Sequence, residues 1–319
     1  MKTIDVTALG ELLVDFTQSG TSPRGNPILE ANPGGAPCNV LAMLRKLGRS
    51  CAFIGKVGQD FFGDMLAGTV QDLGIDIRGL RRDTHVPTTL AFVHTLAGGE
   101  REFSFYRSPG ADVTLTEAEL DRDLLTGCRI FHFGSLSLTD EPARRATCRA
   151  VELARLAGAV ISFDPNLRPP LWGSLSEARE QIAWGLGQCH VLKISDNELE
   201  FMTGCSDFDR GAALLRRAYP QIRLMTVTAG AGGSYAYWEG LRAYEPIFDI
   251  DGVIEKTGAG DTFCACVLSF VLERGLEGLD GEELSSMLRF ANAAAGLVTT
   301  KKGALKVMPA REDIERLLR

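Results

Sequence analysis

The run Thr257-Gly258-Ala259-Gly260-Asp261-Thr262-Phe263 places small residues before a carboxylate where a loop meets a helical pattern. Three small residues let backbone N–H groups converge on an anion without side-chain obstruction, and a helix N-terminus adds unpaired donors and a favourable dipole. Such a turn can stabilise the charge spread over a phosphoryl group in flight, with Asp261 beside it to accept a proton from the attacking hydroxyl. A carboxylate is a weak base toward an alcohol. The transition state of phosphoryl transfer is loose, however, so the proton can leave late and positioning supplies most of the rate. The same four residues also fit a tight loop ending in an N-cap aspartate. The segment is no Walker A, since Gly-Lys-Ser/Thr is missing. No strand runs into Gly-x-Gly-x-x-Gly, which weakens a dinucleotide site.

A second constellation is Asn32-Pro33-Gly34-Gly35-Ala36-Pro37-Cys38-Asn39, again a Gly-Gly turn leading into a helix. Bare backbone at Gly34 and Gly35 suits close approach by a polyhydroxylated ligand, and Asn39 offers both a donor and an acceptor. Asp15, just after the first strand-like run, could accept bonds from two hydroxyls. Each of these residues also reads as a cap or turn residue when taken alone.

The elements that must position these groups alternate from end to end. Apolar runs at 4–9, 51–57, 129–133, 159–163, 191–194 and 222–228 have the character of buried parallel strands. Helix-period stretches at 36–47, 61–73, 141–156, 176–186 and 210–218 lie between them. The pattern predicts a doubly wound α/β fold, its sheet mainly parallel with helices on both faces, as one domain over 1–319. Two places break the rhythm. Residues 12–18 follow the first strand at once, and runs at 88–96 and 102–107 flank Ala97-Gly98-Gly99-Glu100, a hairpin signal. A small β-sheet built from about 12–31 and 76–108 is therefore expected, either as a lid over the sheet's C-terminal edge or as an edge hairpin. A further β-pair at 234–238 and 242–246 precedes the Gly-rich turn, and helical segments at 262–272 and 282–300 follow it.

Bulk properties exclude several classes. The 319 residues carry a net charge of −7, and the short basic runs at 78–82 and Lys301-Lys302 read as solvated faces, so no nucleic-acid partner is expected. No apolar run reaches membrane-spanning length, and no membrane partner is expected. Met1-Lys2-Thr3-Ile4 leads straight into a strand-like run without a signal core. The eight cysteines lack zinc-ribbon or thioredoxin spacing, and the four histidines form no cluster. The expectation is a reduced, cytoplasmic protein.

Together, Gly34-Gly35-Ala-Pro-Cys-Asn39 and Thr257-Gly-Ala-Gly-Asp261 resemble the N- and C-terminal signatures of the ribokinase-like (PfkB) carbohydrate kinases. Matches run from Gly10-Glu-Leu-Leu-Val-Asp15 to Lys302-Gly-Ala304, nearly the whole chain. Within that family several segments are similar to the bacterial fructokinases: Gly55-Lys-Val-Gly58, Phe105-Tyr-Arg107, Pro109-Gly-Ala-Asp112, Phe131-His-Phe-Gly-Ser135 and Asp164-Pro-Asn-Leu-Arg168 with Leu171-Trp172. The 2-keto-3-deoxygluconate kinases share the Tyr-Arg and Asp-x-Asn-x-Arg elements and form the alternative. A non-catalytic sugar or nucleotide sensor would be expected to lack Asp261 or its glycine turn, and both are present.

The resemblance implies MgATP-dependent transfer of the γ-phosphoryl group to a small sugar, D-fructose at its 6-hydroxyl. It makes Asp261 the base and the backbone of Gly258, Ala259 and Gly260 the anion hole. Asp15, Gly34, Gly35 and Asn39 fall on sugar-contacting positions, with Phe105 and Arg107 on the lid and Arg168 shared between sugar and phosphate. Lys193, Ser195, Thr228, Gly230, Gly233, Gly260 and Asn292 fall on ATP-binding positions, and Glu198 on one that holds Mg²⁺ through water. Glu255 and Thr257 mark where relatives build a monovalent-cation site for K⁺. Glu replaces the usual Asp there and Lys256 adds a charge, which weighs against K⁺ and leaves Lys256 to supply positive charge or to face solvent. The resemblance also implies a homodimer formed through the lid.

Overall fold

A computed structural model describes residues 2–95 and 101–319. The elements in chain order begin with β1 (Ile4–Leu9), β2 (Leu13–Thr21), β3 (Pro27–Gly34), α1 (Ala36–Lys46), β4 (Cys51–Gly58), α2 (Phe61–Asp72), β5 (Asp76–Asp83), β6 (Leu90–Thr95) and β7 (Arg101–Tyr106). They continue with α3 (Arg122–Thr126), β8 (Cys128–Gly134), α4 (Ala143–Leu156), β9 (Val160–Asp164), α5 (Leu175–Leu186), β10 (Val191–Ser195), α6 (Asp196–Thr203) and α7 (Phe208–Ala218). The last third holds β11 (Leu224–Thr228), β12 (Ser234–Trp238), β13 (Leu241–Glu245), α8 (Ala259–Arg274), α9 (Gly281–Val298) and α10 (Arg311–Leu317).

Nine strands form one sheet in the order β13-β12-β11-β10-β9-β8-β1-β4-β5. It is parallel from β5 to β11, and β12 and β13 add an antiparallel edge. Side-chain alternation sorts the core onto two faces. Val6, Ala8 and Phe53 pack with α1, α8 and α9, while Leu9, Ala52 and Ile54 pack with α3, α4, α5 and α7. The chain winds from β1 out to β5 and then returns to start β8 on the other side of β1. That reversal opens a crevice beyond the C-terminal ends of β1 and β8, where open α/β sheets bind ligands.

A separate four-stranded sheet, ordered β3-β2-β6-β7, carries the strands outside the β–α rhythm. Phe16 anchors it by stacking on Phe92 at 5.0 Å and meeting Phe62 of α2 edge-on at 5.6 Å. The tip expected at Ala97-Gly98-Gly99-Glu100 lies outside the described residues. One boundary is corrected. Residues 76–83, expected within the lid, form β5 and pair in parallel with β4 in the large sheet. Its sequence, Asp-Ile-Arg-Gly-Leu-Arg-Arg-Asp, is charged because β5 is an edge strand, where charge blocks pairing with further chains.

Candidate active site

Two loops and two helix N-termini converge on the crevice. At the first, Gly35 caps α1 with φ +123°, and a Cβ there would lie 2.4 Å from the Glu11 carbonyl oxygen. The conformation and the close approach both require glycine. Glu11 fixes this turn, its Oε1 accepting the Ala36 N–H at 2.8 Å. Burial pushes its carboxyl up to about 7. One strand residue away, a Cβ at Gly34 would fall 2.3 Å from Asp15 Oδ2, so the bare backbone of β3 makes room for that carboxylate.

At the second, α8 begins earlier than its sequence suggests. Gly258 is the N-cap at φ +80°, and Ala259, Gly260 and Asp261 form the first helical turn. The Ala259 N–H donates to the Lys256 carbonyl at 3.4 Å, which leaves Gly260 and Asp261 to present the donors of this helix start, and the dipole adds to them. A Cβ at Gly260 would lie 3.2 Å from Lys193 Nζ, which packs an ammonium directly against the turn. The two N-termini are joined by one bond, in which Asn39 Nδ2 of α1 donates to Asp261 Oδ2 of α8 at 2.8 Å. Among the described residues, the buried Oδ1 of Asn39 has no hydrogen-bond partner. Burial raises the Asp261 carboxyl above the usual aspartate range, against the opposing pull of Asn39, Lys193 and Arg168.

A buried cluster of charge supports the turn from below. Lys193 on β10 pairs with Asp164 at the end of β9, at 3.0 Å to Oδ2 and 3.2 Å to Oδ1. Burial drives Asp164 up to about 7, with Lys193 pulling it down and Glu198 and Asp261 pushing it further up. Burial also works against the lysine charge, but Asp164 and Glu198 outweigh it and hold Lys193 protonated. Glu198 completes a capping box at the start of α6. Its Oε2 accepts the Ser195 N–H at 2.8 Å, while Ser195 Oγ accepts the Glu198 N–H at 3.3 Å. Its Oε1 accepts the Leu167 N–H at 2.8 Å and so fixes the loop that bears Arg168.

Two cavities meet at this point. The first, about 410 Å³, is lined by Asp15, Gly35, Asn39, Phe105, Arg168, Lys193, Ser195, Glu198, Thr257, Gly258 and Asp261, together with Asn166 and Leu136. The second, about 420 Å³, is bounded by Gly230, Gly233 and Asn292 and by an apolar wall that includes Ile247, Phe248, Ile250 and Val253. Thr228, Lys256 and Gly260 belong to both. A two-substrate site is thus laid out with its common wall at the Asp261 turn.

Three expected ligand contacts meet side chains already engaged. Arg107 does not line the first cavity. Its guanidinium is buried, with Nε donating to Asp112 at 2.8 Å, Nη1 to Thr139 Oγ1 at 3.0 Å and Nη2 to the Leu136 carbonyl at 2.9 Å. Asn292 touches the second cavity, but its Nδ2 donates to the Glu245 and Pro246 carbonyls and its Oδ1 accepts from Ser234. Glu255 is buried. Its Oε1 accepts from the Thr257 hydroxyl at 2.7 Å and its Oε2 from the Gly303 N–H at 3.0 Å. Sequence reasoning did not single out Glu11, Asp164 or Asn166 as site residues. The signal for Asn166 is faint: it sits at φ +44°, a conformation that asparagine tolerates better than most residues.

Residues 4–311 match the pfkB family of carbohydrate kinases. The chain belongs to that family. Among its PfkB relatives, fructokinase-2 of Solanum lycopersicum is 41% identical over 316 residues, covering 98% of this chain and 96% of that protein. The crystal structure of a Xylella fastidiosa fructokinase with bound ATP superposes with a TM-score of 0.89 at 30% identity, covering 100% of this chain and 98% of that one. A fructokinase double mutant from Vibrio cholerae O395, bound to fructose, ADP and potassium ion, does so with a TM-score of 0.87 at 27% identity, covering 100% of both chains. No helix of the described residues is long and apolar enough to cross a membrane.

Proposed function

We propose that this PfkB kinase is a fructokinase, moving the γ-phosphoryl group of MgATP to the 6-hydroxyl of D-fructose. The observation that carries the reading is the position of Asp261. It stands in the first turn of α8 and lines the first cavity, next to Gly260, which lines both. The 41% identity to the tomato fructokinase and the fructose-bound Vibrio structure support fructose as the sugar.

In this reading D-fructose occupies the first cavity. Asp15 accepts bonds from its hydroxyls, and the open acceptor of Asn39 takes another. Asn39 Nδ2 holds the Asp261 carboxylate toward the 6-hydroxyl, and Asp261 receives the proton as the O–P bond forms. ATP lies in the second cavity, its base against the apolar wall and its phosphates over Gly230, Gly233 and the α8 N-terminus. Asn292 shapes that wall by holding β12, β13 and α9 together. Phe105 on the lid covers the sugar and limits access of water.

The donor set also fits Mg²⁺. Glu198 is a carboxylate on the lining of the first cavity, near the turn shared with the second, and a single carboxylate suits an ion held mainly by phosphates and water. Glu198 would hold it through water, where it would neutralise phosphate charge. The bonds that tie Glu255 to Thr257 and Gly303 favour turnover without K⁺. The same proposal includes a homodimer through the lid, supported by Ile28 and Leu29 exposed on its edge strand β3. It also includes a cytoplasmic setting, supported by eight free thiols.

A coupled ADP-release assay with MgATP tests the reading on D-fructose, 2-keto-3-deoxygluconate, ribose and adenosine. Fructose is expected to lead by about tenfold in kcat/KM, about 1.4 kcal/mol of transition-state binding. The keto-acid needs a cation for its carboxylate. With Arg107 held by Asp112, that duty would fall to Arg168, and turnover on the keto-acid alone would move the specificity there. Asp261→Asn is expected to keep its fold and lose about 10²–10⁴-fold in kcat; near-normal turnover would remove Asp261 as the base.

A further inference from the structure

We propose that Lys256 is a further catalytic residue, its ammonium meeting the γ-phosphoryl oxygens as the group passes from nucleotide to sugar. The inference rests on the kinase reading above and adds a residue to it. Of the three residues common to both cavities, Thr228, Lys256 and Gly260, only Lys256 carries charge. It is exposed, and among the described residues no carboxylate forms an ion pair with it. The chain on either side is held in place: Glu255 is tied to Thr257 and Gly303, and Gly258 caps α8. A long side chain on a fixed backbone thus stands at the wall that the phosphoryl group must cross.

The charge balance at the site points the same way. Lys193, the buried cation nearest the turn, is neutralised by Asp164 at 3.0 Å. Arg168 lines the first cavity only. Asp164, Glu198 and Asp261 are three carboxylates acting on that lysine, with Arg168 as the further cation acting on Asp261. The transferring group is itself anionic, and the backbone donors of the α8 N-terminus carry only partial charge. Among the described residues Lys256 makes no ion pair on this shared wall, Asp249 of the second cavity included, so its charge is available where that anion arrives. An ammonium with three rotatable donors suits a group that shifts position during the reaction.

In the step itself, the bond between fructose O6 and the γ-phosphorus forms. The bond from that phosphorus to the β,γ-bridging oxygen breaks, and its electron pair leaves with ADP. The hydroxyl proton goes to Asp261. Lys256 donates to the equatorial oxygens throughout, and no proton leaves it.

The test compares Lys256→Met and Lys256→Arg with wild type. The measurements are steady-state kinetics, thermal unfolding, and calorimetric titration with ADP and the non-hydrolysable analogue AMP-PNP. Lys256→Met is expected to lose about 10²-fold in kcat, with fructose KM and Tm unchanged. It should bind AMP-PNP about tenfold more weakly while binding ADP as wild type does, because only the analogue carries the third phosphate. Lys256→Arg, which keeps the charge, should recover most of both losses. Unchanged kcat in Lys256→Met, or equal weakening of ADP and AMP-PNP, overturns the proposal. If wild type fails to phosphorylate fructose, the fructokinase reading falls, and the AMP-PNP and ADP titrations still decide the role of Lys256.

Discussion

Replacing Gly34 by alanine tests whether Asp15 holds the sugar, because the perturbation reaches that carboxylate and little else. The added Cβ would lie 2.3 Å from Asp15 Oδ2, and the next side chain, Leu13, is 3.7 Å away. Carbon and oxygen in ordinary contact stand about 3.5 Å apart, so the carboxylate must retreat by roughly 1 Å. The atom in the way is the far end of a side chain rather than backbone, so the carboxylate yields while β3 stays in register with β2. A hydrogen bond to a charged group contributes about 1.5–3 kcal/mol. Losing one from Asp15 should therefore raise the fructose KM by about 30-fold. With the α8 turn untouched, kcat and ADP affinity should hold, and thermal unfolding should move little. Gly35→Ala is the contrasting control. Its Cβ would meet the Glu11 carbonyl at 2.4 Å with φ at +123°, so it should destabilise the fold rather than shift one constant. An unchanged fructose KM in soluble, folded Gly34→Ala would refute the assignment of Asp15. A collapse in Tm like that of Gly35→Ala would show instead that the Asp15 carboxylate is locked in place.

Two further predictions concern buried carboxylates. Glu11 has its carboxyl raised by burial to about 7, so between pH 4.5 and 7 the unfolded chain ionises first and ionisation favours unfolding. Stability from this group is complete below that window and lost as pH rises through it. Glu11→Gln keeps an acceptor for the Ala36 N–H and should lose about 3 kcal/mol less than wild type between pH 5 and pH 8 in urea melts; parallel curves would argue against a protonated Glu11. Glu198→Gln leaves one oxygen where two accept backbone N–H groups from Ser195 and Leu167, at a cost of about 1–3 kcal/mol. It should lower Tm and raise the Mg²⁺ requirement, so an unchanged magnesium titration would move the metal elsewhere.

The strands of the parallel core were readable because they are buried on both faces and appear as unbroken apolar runs, as in β4 with every residue buried. β5 escaped that logic, since an edge strand can carry charge and so looks like the lid that follows it. The start of α8 was masked by Gly258. A glycine in a left-handed turn reads as loop, while the structure makes it the cap and draws Asp261 into the helix. Contacts between distant segments are beyond local pattern altogether. The Asn39–Asp261 bond spans 222 positions, and the Lys193–Asp164 pair joins neighbouring strands whose order no short motif records. Arg107 shows the opposite difficulty. Its residue type suited a ligand, yet its partner Asp112 lies only five residues on, and nothing in the spacing separates an internal ion pair from a substrate clamp.

The Asn39–Asp261 bond between α1 and α8 also bears on how the protein is made. Synthesis runs from the N-terminus, so β1, β2 and α1 leave the ribosome first and the α8 turn follows more than two hundred residues later. A nascent chain can already present Asp15 and Asn39 while Asp261 does not yet exist. The nucleotide cavity, whose walls come from β11 onward, is completed by α9, after the base has been added. Any form long enough to complete that cavity therefore already carries Asp15, Asn39 and Asp261, so the sugar-side groups are always in place before the nucleotide side is closed.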